Sequence, residues 1–599
     1  MYNPFNYTRR RSDRIRVGSV LLGGDQPVRV QSMANTDTND TENSVAQCIR
    51  IVEAGGEIVR FTAQGVKEAE NLKHIHAALR EQGFEVPLVA DIHFVAQAAD
   101  VAAQYVEKVR VNPGNFIGMV RRETPDYTEE EYNAEYLRIR ERFTQLIAIC
   151  KEHSTAIRIG VNHGSLSERM MNRWGDTPRG MVESCLEFLQ VCIDEDFHNV
   201  VISMKASNTL SMVHAVRLLV HEMDRRDMHF PLHLGVTEAG DGEDGRIKSA
   251  VGIGAMLQDG IGDTIRVSLS EEPEAEIPVA RQLVDYVRSK ADHEPIAADI
   301  APSFSPFEYT RRSTRRVGII GGDQVPVVMM PQDGGFATLP DFLLKEGVVT
   351  DQQGAEYPVY DVTQLQLLAA DSSALKFLKL EYPQLTVEVL RLLTADPSIV
   401  VILTSNHVNP VGEMRAFFHT LLIHDIPTPV VLHRGYEVND IQELQIKAAA
   451  DLGVLFLDGF GDGIMLELPK GYSYMKRLGV EELNSVAFGI LQASRVRVTK
   501  TEYISCPSCG RTMFRLQTVI ARVKEKTSHL NGLKIAIMGC IVNGPGEMAD
   551  ADYGYVGFGR GKVSLYKKKE CIEKGINEED AVDRLIALIK ANGDWKESK

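Results

Sequence analysis

Through the first 290 residues, short runs of β-branched and other apolar side chains alternate with longer stretches whose apolar positions return every three or four residues. The runs fall at 28–32, 58–61, 88–91, 108–111, 157–161, 200–205, 232–236 and 264–267. The amphipathic stretches include TLSMVHAVRLLVHEM at 209–223 and a second at 278–289. Continuously apolar strands are those covered on both faces, and each run here leaves room for a helix before the next. Eight strand–helix units predict an α/β fold, a closed parallel (β/α)8 barrel of TIM type. An open doubly wound sheet is the alternative that a strand count leaves standing.

The pattern breaks at 291–305, where Pro, Ala and acidic residues without periodicity read as a linker. The chain then repeats itself. PFNYTRRRSDRIRVGSVLLGGDQPVRV at 4–30 returns as PFEYTRRSTRRVGIIGGDQVPVV at 306–328, and DGIGDTIRVSL at 259–269 returns as DGFGDGIMLEL at 458–468. The first block spans residues 4–269 and the second only 306–468, about 100 residues fewer, so the second copy is expected to be a degenerate, trimmed or open barrel. Its expected strands include 400–404, 429–432 and 453–457. Arg266 aligns with Met465 and Ser268 with Glu467, so the copy lacks the polar strand ends of the first and reads as a spacer. The expected organisation is a barrel at 1–290, the linker, an inserted barrel-like α/β domain at 306–490 and a small α+β module at 491–599.

Composition narrows the function. The chain has 599 residues, 44% hydrophobic and 25% charged, enough for several cores. With 66 Lys and Arg against 82 Asp and Glu, its net charge of −16 argues against a general nucleic-acid or anionic-membrane binder. No run approaches the roughly 20 apolar residues of a membrane helix, and the N-terminus lacks a secretory apolar core. Eight cysteines in this length point to reduced thiols in the cytoplasm and away from a secreted disulfide framework.

In a barrel of this type, reacting groups lie at the carboxyl ends of the strands. Those positions hold Arg60, Asp91 with His93, Arg110 with Asn112, Arg158 with Asn162, Lys205, Glu238, and Arg266 with Ser268. Five are cations, on strands two, four, five, six and eight, and such a ring suits a diphosphate or phosphorylated sugar. The bland reading is a set of ion pairs inside the lumen, Arg110 beside Lys108 among them. Asp91 either orients an arginine or touches substrate, and His93 alone is weak evidence. Glu238, a carboxylate among cations, is either an ion-pair partner or a proton carrier, and the surrounding charge favours its basic form.

The last module carries Cys506-Pro-Ser-Cys509-Gly, then Gly539-Cys540-Ile-Val-Asn543-Gly-Pro-Gly-Glu547. A C-x-x-C turn suits tetrahedral sulfur ligation of either zinc or iron. A zinc ribbon would draw its fourth ligand from Cys571, since there is no second C-x-x-C pair. The alternative is Glu547, a harder and more exchangeable ligand, which with three cysteines would hold a [4Fe-4S] cluster with one open iron. Cys48, Cys150, Cys185 and Cys192 lie on helical patterns and read as core.

The strings VQSMANTDT, ADIHF, VRVNPGN, IGVNHGSL, GVTEAG, CPSCGR and GCIVNGPGE together resemble the hydroxymethylbutenyl diphosphate synthases of the methylerythritol phosphate pathway to isoprenoids. The resemblance covers the first block and last module nearly throughout, and the extra middle block resembles the family's three-domain form. It implies an iron–sulfur oxidoreductase that opens 2-C-methyl-D-erythritol 2,4-cyclodiphosphate reductively to 4-hydroxy-3-methylbut-2-enyl diphosphate. By that resemblance Cys506, Cys509, Cys540 and Glu547 hold a [4Fe-4S] cluster. Arg60, Arg110, Arg158, Lys205 and Arg266 hold the diphosphate, Asn112, Asn162 and Ser268 are neutral contacts, and Glu238 is the essential barrel carboxylate. Reduced flavodoxin or ferredoxin would supply electrons to a monomer or a head-to-tail homodimer. The competing readings are a redox-silent barrel (a phosphosugar lyase or pterin-type transferase) with a structural zinc ribbon, and a scaffold that binds phosphorylated metabolites without turnover.

Overall fold

The computed structural model describes residues 3–118, 127–331, 334–469, 478–512, 514–542, 544–548 and 550–597; Asn543, in the loop before Glu547, lies outside them. Two compact units account for the contacts. One gathers Arg10–Gly245, Ile261–Arg281 and the chain from Lys500 on, and the other gathers 3–9, Arg246–Gly260 and Gln282–Thr499.

The first unit holds the parallel barrel: β1 (Arg29–Met33), β2 (Ile58–Ala63), β3 (Leu88–Ile92), β4 (Lys108–Val111), β5 (Ala156–Asn162), β6 (Val200–Lys205), β7 (His233–Leu234) and β8 (Thr264–Ile265). The order is β6-β5-β4-β3-β2-β1-β8-β7, and a parallel bridge between Ile202 and Leu232 joins its two ends, so the ring closes as the alternation predicts. Every residue of β3, β4, β5 and β6 is buried, as expected of strands with helices outside and side chains in the lumen. A hairpin of Ile15–Val17 and Val20–Leu22 packs on Ile58, Val89, Ala156 and Val201 at the strand starts. That hairpin plugs the amino-terminal end with apolar side chains and leaves the chemistry to the other end.

The same unit contains a five-stranded sheet in the order β17 (Glu502–Ser505), β18 (Lys534–Met538), β19 (Tyr553–Gly559), β20 (Lys562–Lys567), β21 (Glu570–Asn577). The first three strands are parallel and the last two pair antiparallel. Helices Leu516–Thr527 and Glu578–Ala591 cover one face through Val519, Val523, Val582 and Leu585. Met548 and Ala551, from the segment after Cys540, cover the other against Met538, Val556 and Tyr566. Cys506 and Cys540 therefore leave the carboxyl ends of two adjacent parallel strands.

The second unit corrects two expectations. Its middle block is neither open nor missing strands: β9 (Val327–Met330), β10 (Phe342–Lys345), β11 (Val348–Asp351), β12 (Glu356–Tyr360), β13 (Lys376–Leu380), β14 (Ile399–Leu403), β15 (Val430–Gly435) and β16 (Gly463–Glu467) form a closed barrel. The missing length is helix. β10, β11 and β12 are joined as antiparallel neighbours by short turns where the first barrel has strand–helix units. Residues 453–457, expected as a strand, end the helix Ile441–Leu457, whose last ten residues are all buried. A short apolar run buried on all sides carries no periodicity by which helix and strand can be told apart. Met465 is buried in the lumen and Glu467 accepts a hydrogen bond from His433 at 3.0 Å, so the positions aligned with Arg266 and Ser268 carry neither the cation nor the hydroxyl of the first barrel.

Candidate active site

Arg60, Asp91, Arg110, Arg158, Asn162 and Lys205 stand on β2 to β6 at or near the strand ends, Thr237 and Glu238 follow β7, and Arg266 and Ser268 follow β8. All of them line one cavity, and so do Cys506, Cys509, Cys540, Glu547 and Arg511 from the sheet module. The loops at the barrel mouth and those after β17 and β18 thus form two facing walls of one cavity. Arg511 bonds Asp91 at 3.0 Å, Asn162 Nδ2 donates to Glu547 Oε1 at 2.9 Å, and Ser270 Oγ donates to the Cys506 carbonyl at 2.9 Å. Lys500 pairs with Asp244 and Lys524 with Asp241 at the rim.

This approach needs glycine at one point. Gly164, in the loop after β5, has φ +78°, and a Cβ there would lie 2.1 Å from the carbonyl oxygen of Gly546. Backbone meets backbone between the NHGS and GPGE motifs, so any side chain at 164 would push the Glu547 loop outward.

The electrostatics of the cavity are those of an anion site. Burial first, then the guanidiniums of Arg60 and Arg158, hold the Lys205 ammonium well below its ordinary pKa. Burial, then Arg60 and Arg110, do the same to Arg158, and burial lowers Arg60 to about 10. Burial works against the Asp91 carboxylate too, but Arg60 and Arg110 outweigh it and keep its pKa far down. His93 is lowered to about 3 by burial and by Arg110, so it is neutral at physiological pH. Cations that depress one another's protonation are stabilised together only by a multivalent anion between them.

The ring is not uniform. Arg266 donates to both oxygens of Glu276 at 3.0 and 2.8 Å, and although burial lowers its pKa, that pair raises it overall. The ion-pair reading therefore holds for Arg266. It holds for Arg110 as well, which pairs with Asp91 at 3.3 Å and also donates to Gly160 O at 2.8 Å and Asn162 Oδ1 at 3.0 Å. Asn112 is the exception among the expected site residues: its Oδ1 accepts the Gly114 N–H at 3.1 Å, and it does not line the cavity. It shapes the turn after β4. Arg511 and Glu276 were missed; the adjacency of arginine to a C-x-x-C-G turn was the available signal for the first, and none marked the second.

Arg158 tests the purpose of the cage. It is 1% exposed, and among the described residues its Nε and Nη1 have no hydrogen-bond partner. A buried cation without partners destabilises a fold, and a neutral side chain of similar volume relieves it by roughly 1–4 kcal/mol. Arg158→Met should raise the thermal midpoint while weakening inorganic pyrophosphate binding by about 1.5–3 kcal/mol, roughly 10- to 150-fold, in calorimetry. Loss of both stability and affinity would mark Arg158 as structural.

Cys506, Cys509 and Cys540 are not joined in disulfides and are partly exposed, and the Gly539 N–H donates to Cys506 Sγ at 3.2 Å. Burial, then Cys509, push the Cys506 thiol well up, so its thiolate calls for a cationic partner. Among the described residues, no three His, Cys, Asp or Glu side chains approach closely enough to share one metal ion. Tetrahedral zinc, with Zn–S of about 2.3 Å, would bring its sulfurs within about 4 Å of one another. Cys571, which a four-cysteine zinc site would need, is exposed on β21 and lies outside the cavity. The donor set in the cavity is therefore three thiols and the Glu547 carboxylate, soft ligands with one harder one.

Comparison with known proteins agrees in both halves of the unit. Residues 12–281 match the GcpE TIM-barrel domain and residues 502–591 the GcpE protein C-terminal domain. A protein of Bacteroides fragilis named 4-hydroxy-3-methylbut-2-en-1-yl diphosphate synthase (flavodoxin) is 57% identical over 99% of this chain and 97% of its own length. Proteins of the same name from Porphyromonas gingivalis, 51% identical over the whole of both chains, and Protochlamydia amoebophila, 41% identical over 98% and 97%, follow. With full-length identity of this order, the chain belongs to the 4-hydroxy-3-methylbut-2-en-1-yl diphosphate synthase (flavodoxin) family.

Proposed function

We propose that this chain reduces 2-C-methyl-D-erythritol 2,4-cyclodiphosphate to 4-hydroxy-3-methylbut-2-enyl diphosphate, a step of isoprenoid precursor synthesis. Two electrons and two protons enter, the ring carbon–oxygen bond opens, and one hydroxyl leaves as water. The observation that carries this reading is the shared cavity, with a cation cage on one wall and three thiols with a carboxylate on the other.

Cys506, Cys509, Cys540 and Glu547 are read as the ligands of a [4Fe-4S] cluster. When bound, it supplies electrons singly and a Lewis-acidic iron. Arg60, Arg110, Arg158 and Lys205 bind the diphosphate, with Arg266 fixed by Glu276 as a rigid donor and Ser268 as a neutral contact. Asn162 touches both walls: its carbonyl accepts from Arg110 and its amide donates to Glu547, so it can hold that carboxylate aside. Asp91 orients Arg110 and Arg511. Glu238 carries a proton to the departing hydroxyl, and the docked module excludes water while it does so.

The relatives' names support reduced flavodoxin as the electron donor. Because the cavity is lined by one chain, the site is read as forming within a monomer and not across a head-to-tail homodimer. Residues 1–290 and 491–599 are read as the substrate and cluster domains, 291–305 as linker and 306–490 as spacer. No helix among the described residues is long and apolar enough to cross a membrane, and action in the cytoplasm is part of the proposal. An oxygen-free preparation tests the function: it should be brown, contain iron and inorganic sulfide, and change its visible spectrum when the cyclic diphosphate is added. A colourless protein holding zinc would overturn the reading.

A further inference from the structure

The chain is acidic, but its thiol-bearing module is not. Residues 501–599 hold 16 Lys and Arg against 13 Asp and Glu, where the whole chain holds 66 against 82. Three of those cations, Arg560, Lys562 and Lys574, are exposed around Phe558. Phe558 is itself 39% exposed, with the Lys574 ammonium 5.0 Å from its ring centroid. The pairing of β19 with β20 is bulged between Gly557 and Gly559, so Phe558 stands in the bulge, where the register passes from Val563 opposite Gly557 to Lys562 opposite Gly559.

This patch lies beside the thiols. A Cβ on Gly557, the residue before Phe558, would lie 2.3 Å from the carbonyl oxygen of Gly539, whose N–H bonds Cys506 Sγ and whose successor is Cys540. Two backbone strands in contact thus separate an exposed aromatic ring from two of the ligands. The lysine run Lys567–Lys569 offers a contrast. Lys567 pairs with Tyr553 and Val563 with Gly557, so the run lies at the opposite end of the hairpin, about 13 Å along the strand.

We propose that Phe558, Arg560, Lys562 and Lys574 form the docking surface for the reduced flavodoxin, a proposal that rests on the reading of that carrier as the electron donor. An exposed aromatic flanked by three exposed cations offers both apolar and charged contact, and such a cationic patch on a chain of net charge −16 favours a partner whose electron-carrying face is acidic. A carrier must bind transiently, and a small patch with charged edges gives fast, salt-sensitive association without a large buried area.

The test compares the holoenzyme with Lys562→Glu/Lys574→Glu and Phe558→Ser forms, using the Kd for flavodoxin by anaerobic calorimetry at low salt. Turnover is measured with flavodoxin and, separately, with reduced methyl viologen, a small donor that needs no docking surface. The Kd and the KM for flavodoxin should rise at least tenfold in both forms, with the viologen-driven rate and the visible spectrum within twofold of the parent. Lys568→Glu/Lys569→Glu should leave the Kd within twofold. An unchanged Kd at Phe558 and Lys562/Lys574, a larger effect from the distal lysines, or no binding to the parent would overturn the surface. Absence of viologen-driven turnover in the parent would instead overturn the reductase reading, while the Kd still reads the surface.

Discussion

Cys540→Ser should abolish turnover, by at least about 10³-fold, with the loss of most iron and inorganic sulfide and an unchanged far-ultraviolet circular dichroism spectrum. Cys540 is the informative cysteine of the three. Cys506 packs against both apolar clusters of the module, so its replacement disturbs folding as well as ligation. Cys540 belongs to neither cluster and ends in the cavity. A serine hydroxyl keeps the size but stays protonated, and a harder oxygen donor is poorly matched to an iron–sulfur centre. Cys571→Ser is the matched control: its thiol is exposed on β21, and it should retain colour, sulfide and turnover. Loss of metal from the Cys571 variant would return the zinc ribbon to contention.

The cation-bearing wall of the barrel was legible because each cation interrupts or closes an apolar run, and a charged residue in a buried parallel strand has few structural reasons to be there. Lys205 closes β6, while Arg60 and Arg158 are each the third residue of their strands and still line the cavity. The same logic fails where a local hydrogen bond satisfies the residue, as at Asn112, which occupies a strand-end position but turns back on the Gly114 N–H. It also fails where the partner comes from elsewhere. Glu276 neutralises Arg266 from the start of the helix after β8, at a spacing that no strand or helix period links to the barrel mouth. Closure of the middle barrel was hidden for a related reason. Its missing helices shorten the chain without opening the ring, because antiparallel neighbours need only a tight turn where parallel ones need a crossover. Proximity of the thiols to the cations is a tertiary fact, and only the glycines at 164 and 546 hinted at it, through a backbone approach that no other residue permits.

Glu238→Gln should lower kcat by about 10²–10⁴, the usual contribution of a positioned proton carrier, and leave KM and cluster content within a few-fold of the parent. The backbone supports the assignment. Glu238 has φ +49°, in the left-handed region, and is 3% exposed in the cavity wall. A non-glycine residue held there carries about 1–3 kcal/mol of strain, which persists where the surroundings fix a functional geometry. Glu238→Gly should therefore be more stable and still inactive, a combination that a purely structural carboxylate would not produce. Mixing Glu238→Gln with Cys540→Ser decides where the site forms. One chain then has an intact module and the other an intact barrel, and a cavity lined within a single chain gives no recovery in the mixture. Recovered turnover would require that one chain's module serve another's barrel, and the within-chain assignment of Asn162 to Glu547 and of Asp91 to Arg511 would fall with it.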